Sequence, residues 1–167
     1  VERNDDLRHR AFLILLHRSQ LSGDVCPFRE SFKAKLRSDN SYQRSIGLML
    51  IAENARRDAE NRLDSTIDDY LNLLKDEKPV TVRQRVQSLG KILGPDLSGK
   101  IAGKLTSFDI MGVKESMRKP ILLDILAVLA KVRRICSTGE IESFILSALS
   151  GDILDKKARR QAERLLC

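Results

Sequence analysis

The stretch Asp76-Glu77-Lys78-Pro79-Val80-Thr81-Val82-Arg83-Gln84-Arg85-Val86-Gln87-Ser88-Leu89 decides the fold class. Pro79 suits the opening of a helix, where its missing N–H leaves no bond unmade. From there Val82, Val86, Leu89 and Leu93 recur at three- and four-residue steps, the period of one helix face and not of a strand. Gly94-Pro95 then stops the helix and turns the chain.

The same period runs outward in both directions. Upstream, residues 7–18 read as a helix with Leu7, Ala11, Ile14 and Leu15 on its inward face, widened by Leu13 and Leu16. Residues 27–37 follow, with Phe28, Phe32 and Leu36 in step behind Pro27. A helix over about 41–57 carries two stripes, Leu48, Ile51, Ala52, Ala55 and Ala59 on one side and Ile46, Met49 and Leu50 on the other, so it packs between two neighbours. The helix at 62–75 turns Leu63, Ile67, Tyr70, Leu71 and Leu74 inward. Downstream, Leu97, Ile101, Leu105 and Phe108 line a helix at 97–108 that holds Gly99 and Gly103, whose spacing suits close approach of a neighbour. Met117, Ile121, Ile125, Val128, Leu129 and Val132 line one at 117–135, with Ser116 as its expected N-cap and Pro120 in its first turn. Ser137 and Glu140 have capping-box spacing ahead of Ile141, Phe144, Ile145, Ala148 and Leu149. Asp155 caps a helix with Ala158, Ala162, Leu165 and Leu166 inward and a polar outer side, as a cap closing a stack of helices requires. The expectation is nine helices and no strand.

These helices pair, and the pairs recur. Leu36…Leu48-x-x-Ile51…Ala55 aligns with Leu74…Val86-x-x-Leu89…Leu93 at an offset of 38, and Val86-x-x-Leu89…Leu93 aligns with Leu122-x-x-Ile125…Leu129 at 36. Drifting repeats of this size predict an all-α fold, an α-α superhelix (solenoid) in which each hairpin buries its apolar side against its neighbours. The opening stretch resembles the start of a HEAT-like (armadillo-type) repeat: acidic residue, Pro79, Val82-Arg83, then apolar residues at helical steps. Asp155-Lys156-Lys157-Ala158-Arg159-Arg160-Gln161-Ala162 through Leu165 is similar without the Pro, while the units opening at Ser38 and Lys114 match only in their apolar stripe. The resemblance implies about four HEAT-like hairpins plus a terminal helix in a single helical-repeat domain: a divergent hairpin over 1–37, three units over 38–150 and a capping helix over 151–167. It also implies a scaffold that binds proteins or nucleic acid, although a fold alone does not assign a task.

Composition narrows the classes further. The chain is 42% hydrophobic and 32% charged, which excludes disorder for most of its length, and its aromatics are five Phe and two Tyr with no Trp. The net charge of +7 is spread along the chain: the segment 38–75 is net acidic, and each of the others carries a small basic excess. Cys26, Cys136 and Cys167 are an odd number, far apart, with no C-x-x-C, so three reduced thiols in a cytoplasmic protein are expected. The longest apolar runs, Ala11–Leu16 and Ile125–Ala130, are six residues each, too short to span a bilayer.

No catalytic constellation stands out. His9 and His17 sit among Arg8, Arg10 and Arg18, which opposes a metal cation, and no phosphate-binding glycine loop is present. Cys26 before Pro27 reads as a residue filling a helix entry, and Asp64, Asp68 and Asp69 read as a solvated acidic face. No enzymatic activity, cofactor or metal is expected. The sides opposite the apolar stripes of alternate helices present Asp68, Asp69 and Asn72, then Lys100 and Lys104, then Ser143 and Ser147, and these are the candidate partner-binding residues. The expected function is a non-enzymatic protein-protein interaction scaffold, monomeric, with another protein as partner and no membrane. The alternative is a helical-repeat nucleic-acid binder using the basic pairs Arg56 and Arg57, Arg133 and Arg134, and Arg159 and Arg160.

Overall fold

The structure, a computed structural model, describes residues 4–57, 67–72, 74 and 78–167. Every regular element among them is helical: α1 (Asp5–Leu21), α2 (Arg29–Leu36), α3 (Ser41–Asn54), α4 (Ile67–Asn72), α5 (Pro79–Leu89), α6 (Pro95–Thr106), α7 (Glu115–Arg133), α8 (Gly139–Ser150) and α9 (Lys156–Leu166). Short 3-10 turns at Cys26–Phe28 and Ala55–Arg57 open α2 and extend α3. The all-α expectation therefore holds across the described residues. Leu63 and Ala59 of the expected stripes lie outside them, as does Asp64. No helix is long and apolar enough to cross a membrane among the described residues.

The chain divides into two compact units, Val1–Leu73 and Leu74–Cys167. In the first, α3 packs against both α1 and α2. Leu48, Leu50, Ile51 and Ala52 are buried from both of its sides, as its double stripe requires. Gly47 makes the α2–α3 approach possible, because a Cβ there would stand 2.5 Å from the Phe32 carbonyl oxygen and 2.8 Å from Lys35 Cβ. In the second unit, α5 packs on α7, α7 on α9, and α6 on both α7 and α8. Helices two apart in the chain thus lie against each other. Val82, Val86 and Leu89 of α5, Ile101 and Leu105 of α6, and Ile121, Ile125 and Leu129 of α7 form the core.

Starts and stops follow local chemistry. Pro79 and Pro95 occupy the opening of α5 and α6, with Gly94 as the N-cap before Pro95. Asp155 caps α9 by accepting from the Ala158 N–H at 2.8 Å. Two caps differ from expectation. Lys114, without a side-chain bond, precedes α7 in place of Ser116. Thr138 caps α8 through the Ile141 N–H, while the Ser137 hydroxyl donates to Glu142.

Several apolar residues also fall elsewhere. In α1 the buried residues are Phe12 and Ser19, with Leu16 half-buried between them, whereas Leu7, Ala11, Leu13, Ile14 and Leu15 are exposed. Apolar residues point to every side of the helix, interleaved with charged ones, so its period did not select a side, and the aromatic Phe12 takes the core. Phe28 is exposed because it ends a 3-10 turn, out of phase with Phe32 and Leu36. Ile92 replaces Leu93 in the core because α5 ends at Leu89 and the chain turns. Leu165 is exposed on α9 and Leu166 half-buried. Gly99 and Gly103 have no atom within 4 Å of where a Cβ would stand, so no neighbour approaches α6 there.

Candidate binding surfaces

Polar ties between helices fix what each surface can offer. In the second unit Arg83 Nε donates to Asp124 Oδ2 at 2.6 Å, and Gln87 Nε2 donates to Asp124 Oδ1 at 3.0 Å, joining α5 to α7. Hydrogen bonding to Asp124 holds the Arg83 guanidinium above its usual pKa, against partial burial. Lys119 Nζ donates to Asp155 Oδ2 at 2.8 Å, joining α7 to α9. That bond, with the Ala158 N–H, holds the Asp155 carboxyl below the usual carboxylate range. Thr106 bonds Glu140 between α6 and α8. In the first unit, Asn54 Nδ2 donates to Ser19 Oγ at 3.0 Å, and Cys26 Sγ lies 3.3 Å from Asn54 Oδ1. Arg18 and Ser22 both bond Asp24, which lowers the Asp24 pKa and raises that of Arg18.

The candidate partner-binding residues divide between the units. Asp68 and Asn72 are exposed on α4, and Asp69 accepts from Arg37 Nη2 at 3.0 Å. Lys100 is exposed on α6, and Lys104 is half-buried at a cavity of about 610 Å³ that Leu74, Val82, Phe108 and Asp109 also line. Ser143 and Ser147 are exposed on α8, the neighbour of α6. The structure thus brings Lys100, Lys104, Ser143 and Ser147 onto adjacent helices.

One member of each basic pair is engaged internally. Arg57 donates to the Ser19 and Gln20 carbonyls at 2.6 and 2.9 Å, closing the end of α1, while the Arg56 side chain lies outside the described residues. Arg133 Nε pairs with Glu142 Oε1 at 2.7 Å, and Arg134 is exposed at the end of α7, where a cation suits the helix dipole. Arg159 donates to the Gly151 carbonyl at 3.1 Å. Arg160 is exposed.

Two surfaces take a different role from the one expected of them. One is the outward side of α1, where Leu7, Ile14 and Leu21 are 49%, 66% and 70% exposed at seven-residue steps with exposed Ala11 between them. The expected inward stripe contained most of these residues, so the signal was present with its sign reversed. The other is α9, whose exposed side carries Lys156, Lys157, Arg160, Gln161 and Arg164 around a shallow recess. There the sequence placed Lys156, Lys157, Arg159, Arg160, Glu163 and Arg164 opposite the apolar stripe as a polar cap, and the structure leaves all but Arg159 exposed. Arg85, wholly buried on α5, was missed.

Reactive groups are sparse. His9 Nδ1 lies 3.3 Å from the Tyr42 hydroxyl, and its ring packs at a tilt on Phe12. The three cysteines are unpaired, with Cys167 exposed. No three His, Cys, Asp or Glu side chains gather closely enough to hold a metal among the described residues. No protein-family model matches the chain, and no curated protein or solved structure matches it either.

Proposed function

We propose that this chain is a non-enzymatic scaffold of HEAT-like hairpins, stacked as a short α-solenoid, that binds another protein along α1. The stacking reading rests on helices two apart lying together, and on polar ties at recurring separations. Thr106–Glu140 spans 34 residues, Lys119–Asp155 36 and Gln87–Asp124 37. A repeat of one hairpin would place equivalent helices side by side at these intervals.

The observation that carries the binding reading is the uncovered stripe of α1. Leu7, Ala11, Ile14, Arg18 and Leu21 follow alternating four- and three-residue steps, the seam spacing by which one helix packs on another. Arg10 and His17 flank that seam on one side, at the positions where paired helices place complementary charge. The partner is therefore an amphipathic helix of another protein, with apolar residues at heptad steps and acidic flanks. A second copy of α1 would set basic flank against basic flank.

Co-purification at moderate salt, with and without nuclease, tests this reading. Proteins retained by the native chain should survive nuclease and be lost from the Ile14→Glu/Leu21→Glu variant. Both sites are exposed, so helicity and melting temperature should be unchanged. Retention indifferent to the substitutions, or the absence of any retained protein that survives nuclease, would overturn it.

A further inference from the structure

We propose that the outward side of α9 docks on the phosphate backbone of duplex nucleic acid, a role separate from the protein-binding reading of α1. Lys156, Arg160 and Arg164 stand at successive four-residue steps, and Lys157 widens the row toward Gln161. All five are exposed. At 1.5 Å per residue the row runs roughly 12 Å along the helix. The opposite side of α9 is already committed, since Ala158 and Ala162 are buried and the helix packs on α7.

Internal roles account for several other cations but not for these. Arg83, Lys119 and Arg133 pair with carboxylates, and Arg57, Arg118 and Arg159 donate to backbone carbonyls. The four cations of the row have no such bond among the described residues. Lys156 and Lys157 also occupy the first turn of α9, which has no acidic residue, where the helix dipole disfavours positive charge. Their position costs stability, so it is not explained by folding. Asp155 lies at the same end, but Lys119 and the Ala158 N–H occupy its carboxylate. Glu163 borders the row at one edge.

Apart from Leu165, exposed at the edge beyond Gln161, the row carries no apolar or aromatic side chain, and this selects the occupant. A protein interface needs an apolar anchor at its centre, and single strands are held by aromatic stacking. Insertion into a membrane would need the apolar side that faces α7. A duplex backbone needs only cations in line, and reading it this way carries no base sequence.

The test is anisotropy of the whole chain with a random-sequence 20-base-pair DNA duplex over 50 to 200 mM salt. Four released counterions give a logarithmic slope of about −3.6, a fall in affinity of about 150-fold across that range. The Lys156→Gln/Arg160→Gln/Arg164→Gln variant should bring the slope to about −0.9 and weaken binding at least tenfold at 100 mM. The charge-matched Lys33→Gln/Lys114→Gln/Lys131→Gln variant should keep the slope. Arg160→Lys/Arg164→Lys should also keep it, because the charge is unchanged, and circular dichroism should show native helicity throughout. Equal losses in the two Gln variants, a slope near zero in the native chain, or loss of binding in the Lys variant would each overturn the proposal. Polyglutamate of matched charge binding as tightly as the duplex would overturn it in favour of an acidic protein segment.

Discussion

Arg83 of α5 and Asp124 of α7, 41 residues apart, meet through two nitrogens at 2.6 and 3.3 Å. Asp124 is 13% exposed and Arg83 38%, and Gln87 donates to the same carboxylate. The pair therefore fixes the register of two packed helices from the rim of their contact. A double-mutant cycle on Arg83→Met and Asp124→Asn should give a coupling of about 1 kcal/mol, the upper end for ion pairs open to solvent. A coupling of zero by urea melts would mean the contact is ornamental.

The buried stripes give the largest expected losses. Ile67 and Leu89 are wholly buried, so replacing either with Ala should cost roughly 2–5 kcal/mol. Values under about 0.5 kcal/mol at both sites are typical of surface positions and would contradict the packing described.

Glycines in this chain should respond to alanine with opposite signs. Gly99→Ala and Gly103→Ala fill open space on α6, so each should gain up to about 1 kcal/mol from helix propensity alone. Gly47→Ala meets the Phe32 carbonyl oxygen, which is backbone and cannot swing away. Overpacking of about 1–3 kcal/mol should outweigh the propensity gain there. Thermal melts of the three variants read the signs directly.

Acid should expose the α7–α9 tie. Hydrogen bonds from Lys119 and the Ala158 N–H depress the Asp155 pKa, so its contribution is present above the ordinary carboxylate value of about 3.9 and is lost as pH falls through the depressed folded value. Asp155→Asn keeps a capping oxygen and removes the charge. The native chain should be the more stable of the two at pH 7, with the gap closing below about pH 4. A gap independent of pH would show that the ion pair contributes nothing.

How much of this was legible in the sequence depended on the contrast between the sides of each helix. In α5, Val82, Val86 and Leu89 stand out against polar neighbours, and these three and the Pro79 start lie where expected, whereas the helix stops at Leu89, ahead of Gly94-Pro95, which opens α6. In α1 the apolar residues surround the axis, and the buried side includes a serine. Ser19 is buried because Asn54, 35 residues away, donates to it, and nothing near Ser19 in the chain announces that bond. Arg85 shares the buried side of α5 by its spacing, three residues from Val82, but its charge masked the position. Adjacent hydroxyls such as Ser137 and Thr138 differ by one residue of backbone geometry, which composition does not encode. The candidate surfaces were the least legible, because they depend on which side of each helix its neighbours leave uncovered.

The ties of the second unit have a kinetic consequence. Its bonds between helices two apart close chain loops of 34 to 41 residues, Arg133–Glu142 joins neighbouring α7 and α8, and its packed pairs are adjacent helices or helices two apart. Closure entropy grows only as the logarithm of loop length, so the ties between helices two apart carry nearly the same entropic cost. No contact among these waits for distant ends of the chain to meet. Such short-range topology places the unit among rapidly folding helical proteins. A helix pair can dock as soon as its neighbour has formed, so order can spread from α7, which touches α5, α6, α8 and α9, toward either edge.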